Sequence, residues 1–249
     1  MEIKDALIEI VGDRNVSDSL IDLYVYGGDA SIHHSLPNIV VRPGTINEVQ
    51  KILSFANREL IPVIPRGAAS SMSGHTVPID GGIIMDMKRM NRILKIKPED
   101  MYCRVEPGVV DDDLNRELKQ YGMFFPPSPA SSRIATIGGE IGTNASGIRA
   151  VKYGATRDYV LGMKLVLADG ELVELGAETR VESAGYQIHR MIVGSEGTLG
   201  VVVEAILKFI PLPELRCLGM AAYDKLEEAG EAIADIIGSG AQPSLLELM

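Results

Sequence analysis

A stretch of ten mostly small residues constrains the fold of this chain more than any other segment. It reads Pro65-Arg66-Gly67-Ala68-Ala69-Ser70-Ser71-Met72-Ser73-Gly74 and follows a short apolar run, residues 60–64, that predicts a buried strand. Small residues let the backbone approach a ligand closely, because glycine has no side chain in the way. Consecutive N–H groups can then converge on a phosphate. A flexible loop without a ligand is the alternative that this segment alone leaves open.

The loop matches neither of two common nucleotide-binding patterns. No Gly-Lys-Ser/Thr follows it, as a P-loop requires, and the G-x-G-x-x-G spacing of dinucleotide-binding domains is absent. We therefore do not expect NAD to bind here.

Two later segments are also rich in small residues. The first reads Pro126-Pro127-Ser128-Pro129 and then Ala135-Thr136-Ile137-Gly138-Gly139-Glu140-Ile141-Gly142-Thr143-Asn144-Ala145-Ser146-Gly147. The second reads Gly194-Ser195-Glu196-Gly197-Thr198-Leu199-Gly200-Val201-Val202. Together with the first loop they resemble the flavin-binding domain of the vanillyl-alcohol oxidase / p-cresol methylhydroxylase (PCMH) superfamily. Within it, the likeness is strongest to D-lactate dehydrogenases and the flavin subunit of glycolate oxidase, and it covers about residues 20–213.

The resemblance implies an α+β chain with the PCMH-type FAD-binding fold of two α/β subdomains, followed by the beginning of a truncated cap domain. It places the FAD-binding domain at residues 1–213, with a phosphate-loop subdomain over about 1–110 and a second subdomain over about 111–213. Residues 214–249 would start a substrate-binding cap domain that is incomplete in this sequence.

The resemblance also implies which residues contact FAD. The first motif would hold the pyrophosphate, the second would line the flavin and the third would complete the pocket. Carried over position by position, the expected cofactor-binding residues are Pro65, Arg66, Gly67, Ala68, Ala69, Ser70, Ser71, Gly74, Pro107, Gly108, Pro127, Ser128, Thr136, Gly138, Gly139, Thr143, Asn144, Gly147, Glu196, Gly200 and Val201.

Several of these assignments have a structural alternative. Pro107 and Gly108 fit a plain β-turn as well as an adenine contact. Arg66 either faces the pyrophosphate or braces the loop while backbone N–H groups bind. Glu196 can instead hold a neighbouring loop by accepting N–H bonds. Asn144 carries an amide that both donates and accepts, which suits the flavin edge.

By this resemblance, the expected function is FAD-dependent oxidation of a D-2-hydroxy acid, of the D-lactate or glycolate type, by hydride transfer to flavin N5. In the family, the base and metal histidines come from an H-x-G-D-G-N-x-H-type cap segment, which this sequence lacks. The catalytic residues therefore stay unknown, and no metal site is expected. The alternatives are a noncatalytic FAD-binding subunit of a multi-subunit oxidase and a non-redox flavoenzyme of the same fold.

The four histidines are weak candidates for catalysis or flavin attachment. His33 and His34 lie in a polar loop and are expected to be exposed, whereas His189 is expected to be structural. Some relatives bind FAD covalently through a histidine early in the first loop. Ser70 occupies about that place here and His75 lies beyond Gly74, so we expect FAD to be bound noncovalently.

Composition limits the partners. The net charge is −10 and no basic patch occurs, which argues against nucleic acid. Two cysteines are too few for an iron–sulfur cluster. Besides the hydroxy acid, a cytochrome, quinone or iron–sulfur redox partner and a homo-oligomer are open possibilities. No signal peptide or long apolar span is recognisable, so we expect a cytoplasmic protein, with peripheral membrane association left open.

Periodicity and capping residues predict the elements. Helices are expected over residues 2–11, 18–26, 111–121 and 223–237, and one begins at a capping box over Thr45-Ile46-Asn47-Glu48. Strands are expected over 38–42, 60–64, 82–87, 102–106 and 199–210, in a hairpin about Ala168-Asp169-Gly170, and near 216–222. The early β-α-β order predicts parallel strands.

Overall fold

The computed structural model describes residues 3–249, so the predicted helix start at residue 2 lies outside the described residues. The helices are α1 (Ile3–Val11), α2 (Leu20–Tyr26), α3 (Ile46–Glu59), α4 (Asp111–Lys119), α5 (Ile137–Thr143), α6 (Ala150–Tyr153), α7 (Ile188–Ile192) and α8 (Leu226–Gly238). Short 3₁₀ turns occur at Asp13–Asn15, Met87–Arg89 and Thr156–Asp158.

The first sheet forms around the predicted β-α-β unit. Its strands are β1 (Val16–Ser17), β2 (Ile39–Val41), β3 (Val63–Arg66) and β4 (Ile83–Asp86), in the order β1-β2-β4-β3. The central strand β4 pairs in parallel with both β2 and β3, which confirms the predicted parallel pairing. Helix α3 makes the crossover from β2 to β3 and buries Val49, Ile52, Leu53 and Ala56.

The start of α3 follows the predicted cap with one difference. Thr45 accepts a hydrogen bond from the Glu48 backbone N–H, as a capping box requires. The Glu48 carboxylate, however, accepts from the Gly44 N–H at 2.6 Å, one residue earlier than predicted. The bond from Glu48 satisfies an N–H group of the first helical turn, whereas the bond from Gly44 holds the residue that precedes the cap.

The strand before the small-residue loop is displaced from its predicted position. Leu60 has φ 54° and ends α3 in the left-handed conformation, so the chain cannot be extended there. Strand β3 instead covers Val63–Arg66, which places Pro65 and Arg66 on a strand rather than in the loop. The strand was predicted to be buried, but it lies at a sheet edge and Val63, Ile64 and Pro65 are only half-buried. An edge is where a sheet tolerates proline.

The second sheet is antiparallel throughout. It contains β5 (Ile93–Lys97), β6 (Tyr102–Val105), β8 (Val160–Val166), β9 (Leu172–Gly176) and β10 (Val201–Lys208), in the order β5-β6-β10-β8-β9. The β8–β9 hairpin and the long, largely buried β10 confirm the sequence predictions. Two further short strands, β7 (Met123–Phe124) and β11 (Ile210–Pro211), pair with each other.

Two cores hold these layers together. One joins α1, α3 and the first sheet and extends to Val166, Val201 and Val203 of the second sheet. The other lies between the second sheet and the helices α4, α5 and α7. Because β5 and β6 belong to the second sheet, residues 93–105 pack with the later part of the chain. The subdomain boundary near residue 110 stays a prediction.

The last segment differs from the sequence expectation in one element. Helix α8 covers Leu226–Gly238, close to the predicted 223–237. The strand predicted near 216–222 is wrong, since these residues form neither strand nor helix. Leu218 and Met220 are 92% and 93% exposed, so their apolar side chains have no sheet to pack against.

Candidate cofactor-binding site

The three small-residue motifs meet in space. The loop after β3 lies against the start of α5, because the Cα of Gly67 faces the Thr136 side chain. The third motif packs on the other end of α5 through two backbone hydrogen bonds, from Gly194 N to Ile141 O and from Glu196 N to Gly142 O, each 2.9 Å. Gly197 of the same motif lies against the Pro65 ring. One groove therefore has all three motifs in its walls.

The groove consists of two adjoining clefts with cavity volumes of about 90 Å³ and 220 Å³. Six residues line both clefts, which makes the groove continuous and suits an elongated ligand: Gly67, His75, Thr76, Thr136, Gly139 and Thr143. The predicted residues on its walls are Pro65, Arg66, Gly67, Ala68, Ala69, Ser70, Ser71, Pro107, Thr136, Gly138, Gly139, Thr143, Glu196, Gly200 and Val201.

Six predicted residues lie outside the two cleft walls. Gly108 is buried behind them, where a Cβ would come within 2.6 Å of the Met87 carbonyl oxygen. Gly147 packs on the backbone of Ser128, which follows the buried Pro127. Gly74 has φ +78° and packs on the His33 ring. The sixth, Asn144, ends α5 and accepts a hydrogen bond from the Arg157 N–H through its amide oxygen.

Other wall residues were not predicted from the sequence. Thr76, Met87 and Ile192 line the first cleft from outside the quoted motifs. Met87 was within reach of sequence reasoning, because it ends the strand predicted over 82–87. Glu140 was inside a quoted motif but was given no role, since nothing in the sequence alone shows that its side chain is buried.

The walls approach each other so closely that side chains would not fit at key positions. A Cβ on Gly67 would overlap the Thr136 hydroxyl, and a Cβ on Gly138 would come within 2.6 Å of the Pro107 Cβ. Ala69, Asn144 and Glu196 hold φ values of 54°, 50° and 55°, and they are three of the five non-glycine residues with positive φ in the described chain. Such backbone strain concentrates at ligand sites.

Arg66 braces the beginning of the loop. Its side chain is 8% exposed and donates hydrogen bonds to the Tyr26 carbonyl oxygen and the Thr76 hydroxyl, both at 3.1 Å. Burial lowers the pKa of Arg66, whereas Tyr26, Asp86 and Asp29 favour its charged form. These contacts support the bracing alternative, and a direct bond to the pyrophosphate stays a prediction.

A chain of polar side chains joins the first loop to the third motif. Ser71 Oγ lies 2.8 Å from His75 Nδ1, and His75 Nε2 lies 3.3 Å from Glu196 Oε1. Glu196 was expected to bind the cofactor, with the holding of a neighbouring loop through N–H bonds as the alternative. The side chain that it contacts is that of His75. Both ring nitrogens of His75 have partners, so His75 connects the first loop to the third motif.

The other histidines lie away from the cleft walls. His33 and His34 are exposed, as predicted. His189 is buried on α7, and this burial lowers its pKa.

Two buried acids lie beside the second cleft. Asp111, the first residue of α4, is 1% exposed, and Glu140 of α5 is 2% exposed. Burial, with a contribution from Asp112, raises the pKa of Asp111 to about 7. Burial and the neighbouring Asp111 and Asp112 raise the pKa of Glu140 well above its usual value.

The comparisons with known proteins agree with this geometry. The family model described as FAD binding domain matches residues 37–176. The chain belongs to this family, and its cofactor is FAD. The residues fit that ligand. Gly67 and Gly138 carry no side chain where the walls come close together. The groove is long and is lined by small residues, backbone N–H groups and hydroxyls.

The chain is similar to several proteins over nearly its whole length. It is 39% identical to glycolate oxidase subunit GlcD of Bacillus subtilis (strain 168), over 100% of this chain and 53% of that protein. It is 36% identical to the mitochondrial D-lactate dehydrogenase [cytochrome] of Arabidopsis thaliana, over 97% of this chain and 43% of that protein. The chain thus spans about half the length of these curated relatives.

Solved structures share the fold. An alkyldihydroxyacetonephosphate synthase matches with a TM-score of 0.84 and 23% identity, covering 98% of this chain and 47% of the other. A p-cresol methylhydroxylase with bound substrate matches with a TM-score of 0.74 and 22% identity, covering 85% and 43%. The PCMH-type fold expected from the motifs is confirmed.

Two features are absent from residues 3–249. None of their helices is both long and apolar enough to cross a membrane. Nor does this part of the chain bring three or more His, Cys, Asp or Glu side chains together as metal ligands.

Proposed function

We propose that this chain is the FAD-binding part of a flavin-dependent oxidoreductase that acts on a small D-2-hydroxy acid, of the D-lactate or glycolate type. The observation that carries the proposal is the convergence of three separate motifs on one continuous groove. The names of the relatives, a glycolate oxidase subunit and a D-lactate dehydrogenase, support the substrate class.

Each wall has its own part in holding the cofactor. Backbone N–H groups of residues 67–71, with the Ser70 and Ser71 hydroxyls, suit the negatively charged pyrophosphate. Gly138, Gly139 and Thr143 give α5 a face without bulky side chains, which suits the flat ring system. When bound, FAD supplies the acceptor for two electrons and a hydrogen from the substrate.

The cofactor is held without a covalent bond. Both ring nitrogens of His75 already contact Ser71 and Glu196, so neither is free to attack the flavin. Ser70, at the place where some relatives carry a flavin-linking histidine, donates to the Ser131 hydroxyl at 3.1 Å.

Catalysis also needs a base for the substrate hydroxyl and a cation for its carboxylate, both in fixed geometry. On the cleft walls of the described residues, the charged or titratable side chains are Arg66, His75, Glu140 and Glu196, and all but Glu140 have protein partners. We therefore assign the base and the clamp to a cap domain that begins within residues 214–249. Residues 1–213 then form the FAD-binding domain that precedes the cap domain.

The remaining assignments concern partners and location. The electron acceptor is a cytochrome, a quinone or an iron–sulfur protein, and the first is supported by the name of the plant relative. The name of the bacterial relative, a subunit, supports assembly with other chains. The protein works in the cytoplasm or at a membrane surface, as a homo-oligomer or as part of a larger complex.

The test joins these 249 residues to the half of the B. subtilis glycolate oxidase subunit that they do not match. The FAD-loaded chimaera is mixed anaerobically with D-lactate, glycolate or D-2-hydroxyglutarate, and the flavin absorbance is followed. We expect bleaching by one of them at an enzymatic rate, on the order of 1–1000 s⁻¹. The 249-residue chain alone, loaded with FAD, should bleach far more slowly.

Two results would contradict the proposal. A chimaera that holds FAD but is bleached by none of the three acids would favour a noncatalytic or non-redox role. Rapid bleaching of the 249-residue chain alone would show that the base and the clamp lie within it.

A further inference from the structure

Glu140 is the one buried acid on the groove walls whose position its protein contacts do not explain. Both carboxylate oxygens are inaccessible to solvent and have no hydrogen-bond partner among the described residues. The residue lies on the wall of the second cleft, together with Ser71, Thr143 and Ser146. A buried polar group without a partner costs about 1–3 kcal/mol, and a charged one costs more. A ligand that supplies the missing partner would remove this cost.

A second acid makes ionisation of Glu140 still less favourable. The segments around residues 109–111 and 135–137 pair through hydrogen bonds from Asp111 N to Ala135 O and from Ile137 N to Val109 O, at 3.0 and 2.8 Å. This pairing places the start of α4 beside the helix that carries Glu140. One Asp111 oxygen accepts from Asn115 Nδ2 at 2.9 Å. Two acids in such a low-dielectric region do not both ionise readily, because like charges repel.

We propose that Glu140 is a cofactor-binding residue that acts as a neutral carboxylic acid, donating a hydrogen bond to an acceptor atom of FAD, with Asp111 as its proton-holding partner. The proposal rests on FAD binding in the groove. FAD carries a negatively charged pyrophosphate and many acceptor oxygens and nitrogens. A protonated acid can donate to such an acceptor, whereas an ionised acid in the same wall only accepts and repels the anion.

The charges around Glu140 fit this role. Burial, Asp111 and Asp112 all raise the pKa of Glu140. Arg149 and the Asn115 hydrogen bond favour ionised Asp111, but burial outweighs them and its pKa rises to about 7. His75 is the other titratable side chain on the walls of the second cleft, and it is separate from this pair.

A consequence is that FAD binding is linked to protonation. At low pH the pair keeps its protons and the affinity for FAD is highest. As the pH rises and Glu140 ionises in the free protein, the free protein loses the proton that the complex needs. The affinity should then fall by up to about tenfold per pH unit.

The experiment measures FAD affinity by flavin fluorescence between about pH 6 and about pH 9, with proton uptake from calorimetry in buffers of different ionisation enthalpy. Glu140→Gln keeps the shape and a neutral donor but cannot ionise. We expect it to retain the low-pH affinity of the wild type, to lose the fall at high pH and to take up no proton when FAD binds. Asp113→Asn, an exposed acid of α4 that pairs with Arg116, is the matched control and should behave like the wild type.

Other outcomes would overturn the inference. A wild-type affinity that does not change with pH would do so, as would an unchanged pH dependence in Glu140→Gln. His75→Asn is a further variant, and loss of the pH dependence in it would assign that dependence to His75 and not to Glu140. If the wild type takes up no FAD at any pH, the assignment of the groove to FAD is contradicted. That result differs from a wild type that binds FAD with no dependence on Glu140.

Discussion

At the scale of single residues, Gly67 marks a close approach of the first loop to the start of α5. Its φ is outside the left-handed region, so the absence of a side chain matters here for space and not for backbone strain. A Cβ at this position would overlap the Thr136 hydroxyl. We predict that Gly67→Ala shifts the loop away from α5 and weakens FAD binding by about five- to 150-fold, since such overpacking costs about 1–3 kcal/mol.

The check is an FAD titration of folded protein. Gly230→Ala is the control, because Gly230 lies in α8 with open space around it. This control should bind FAD like the wild type. Equal affinities in both variants would show that close approach at Gly67 is not needed for the cofactor.

The site residues whose role depends on small size could be predicted from the sequence. Those whose role depends on burial could not. The glycines of the three motifs are recognisable because their spacing is characteristic of the family. Arg66 could be placed in the site but its bracing bonds to Tyr26 and Thr76 could not, because these partners come from distant parts of the chain. The same holds for Glu140 and Asp111, whose neighbours become visible only when α4 and α5 pack together.

At the scale of elements, the contact between His75 and Glu196 ties the first loop to the third motif. Because the pair is partly exposed, its loss should cost about 0.2–1 kcal/mol. We predict that Glu196→Gln speeds FAD dissociation a few-fold and leaves the fold intact. Stopped-flow release of flavin measures this rate.

A matched control tests whether position or charge matters. Glu99→Gln removes an exposed acid that pairs with Lys97 in the turn after β5, so its FAD dissociation rate should stay at the wild-type value. An unchanged rate in Glu196→Gln would mean that the tie across the groove does not retain the cofactor.

The sequence predicted most elements, and its errors have local causes. The β-α-β unit, the β8–β9 hairpin and β10 follow from turn residues and apolar runs. Strand β5 was missed because Lys95 and Lys97 interrupt its apolar pattern, although it pairs with β6 within the second sheet. The strand expected near 216–222 has the composition of a strand but no neighbour with which to pair, and pairing depends on the rest of the fold.

At the scale of the whole molecule, the buried acids make stability depend on pH. The pKa of Asp111 rises from its ordinary value of 3.8 to about 7 in the folded protein, and that of Glu140 also rises. The folded protein therefore binds more protons than the unfolded chain in this range. The contribution of these acids to stability is present at low pH and is lost as the pH rises through about 7.

We predict that Glu140→Gln and Asp111→Asn, each without FAD, gain stability relative to the wild type as the pH is raised from about 5 to about 8. Thermal unfolding of the three proteins across this range measures the difference, and Asp113→Asn should follow the wild type. A difference that is constant with pH, or that grows towards acid, would contradict the raised pKa values.

The order of the chain explains why the site needs the complete fold. The first loop leaves the parallel sheet, the second motif forms α5 and the third enters the antiparallel sheet. Motif spacing could show that the three belong together, because the family pattern is known. It could not show the two adjoining clefts or the pair of buried acids, since the clefts arise where the first loop meets α5 and the pair arises where α4 meets α5.

The most direct test of the central claim is the stoichiometry of cofactor uptake. The purified chain, freed of flavin, is titrated with FAD, and the saturated complex is then precipitated with acid. We predict one FAD per chain, with all the flavin released into a yellow supernatant. A chain that takes up no FAD would contradict the assignment of the groove, and flavin that stays with the pellet would contradict noncovalent binding.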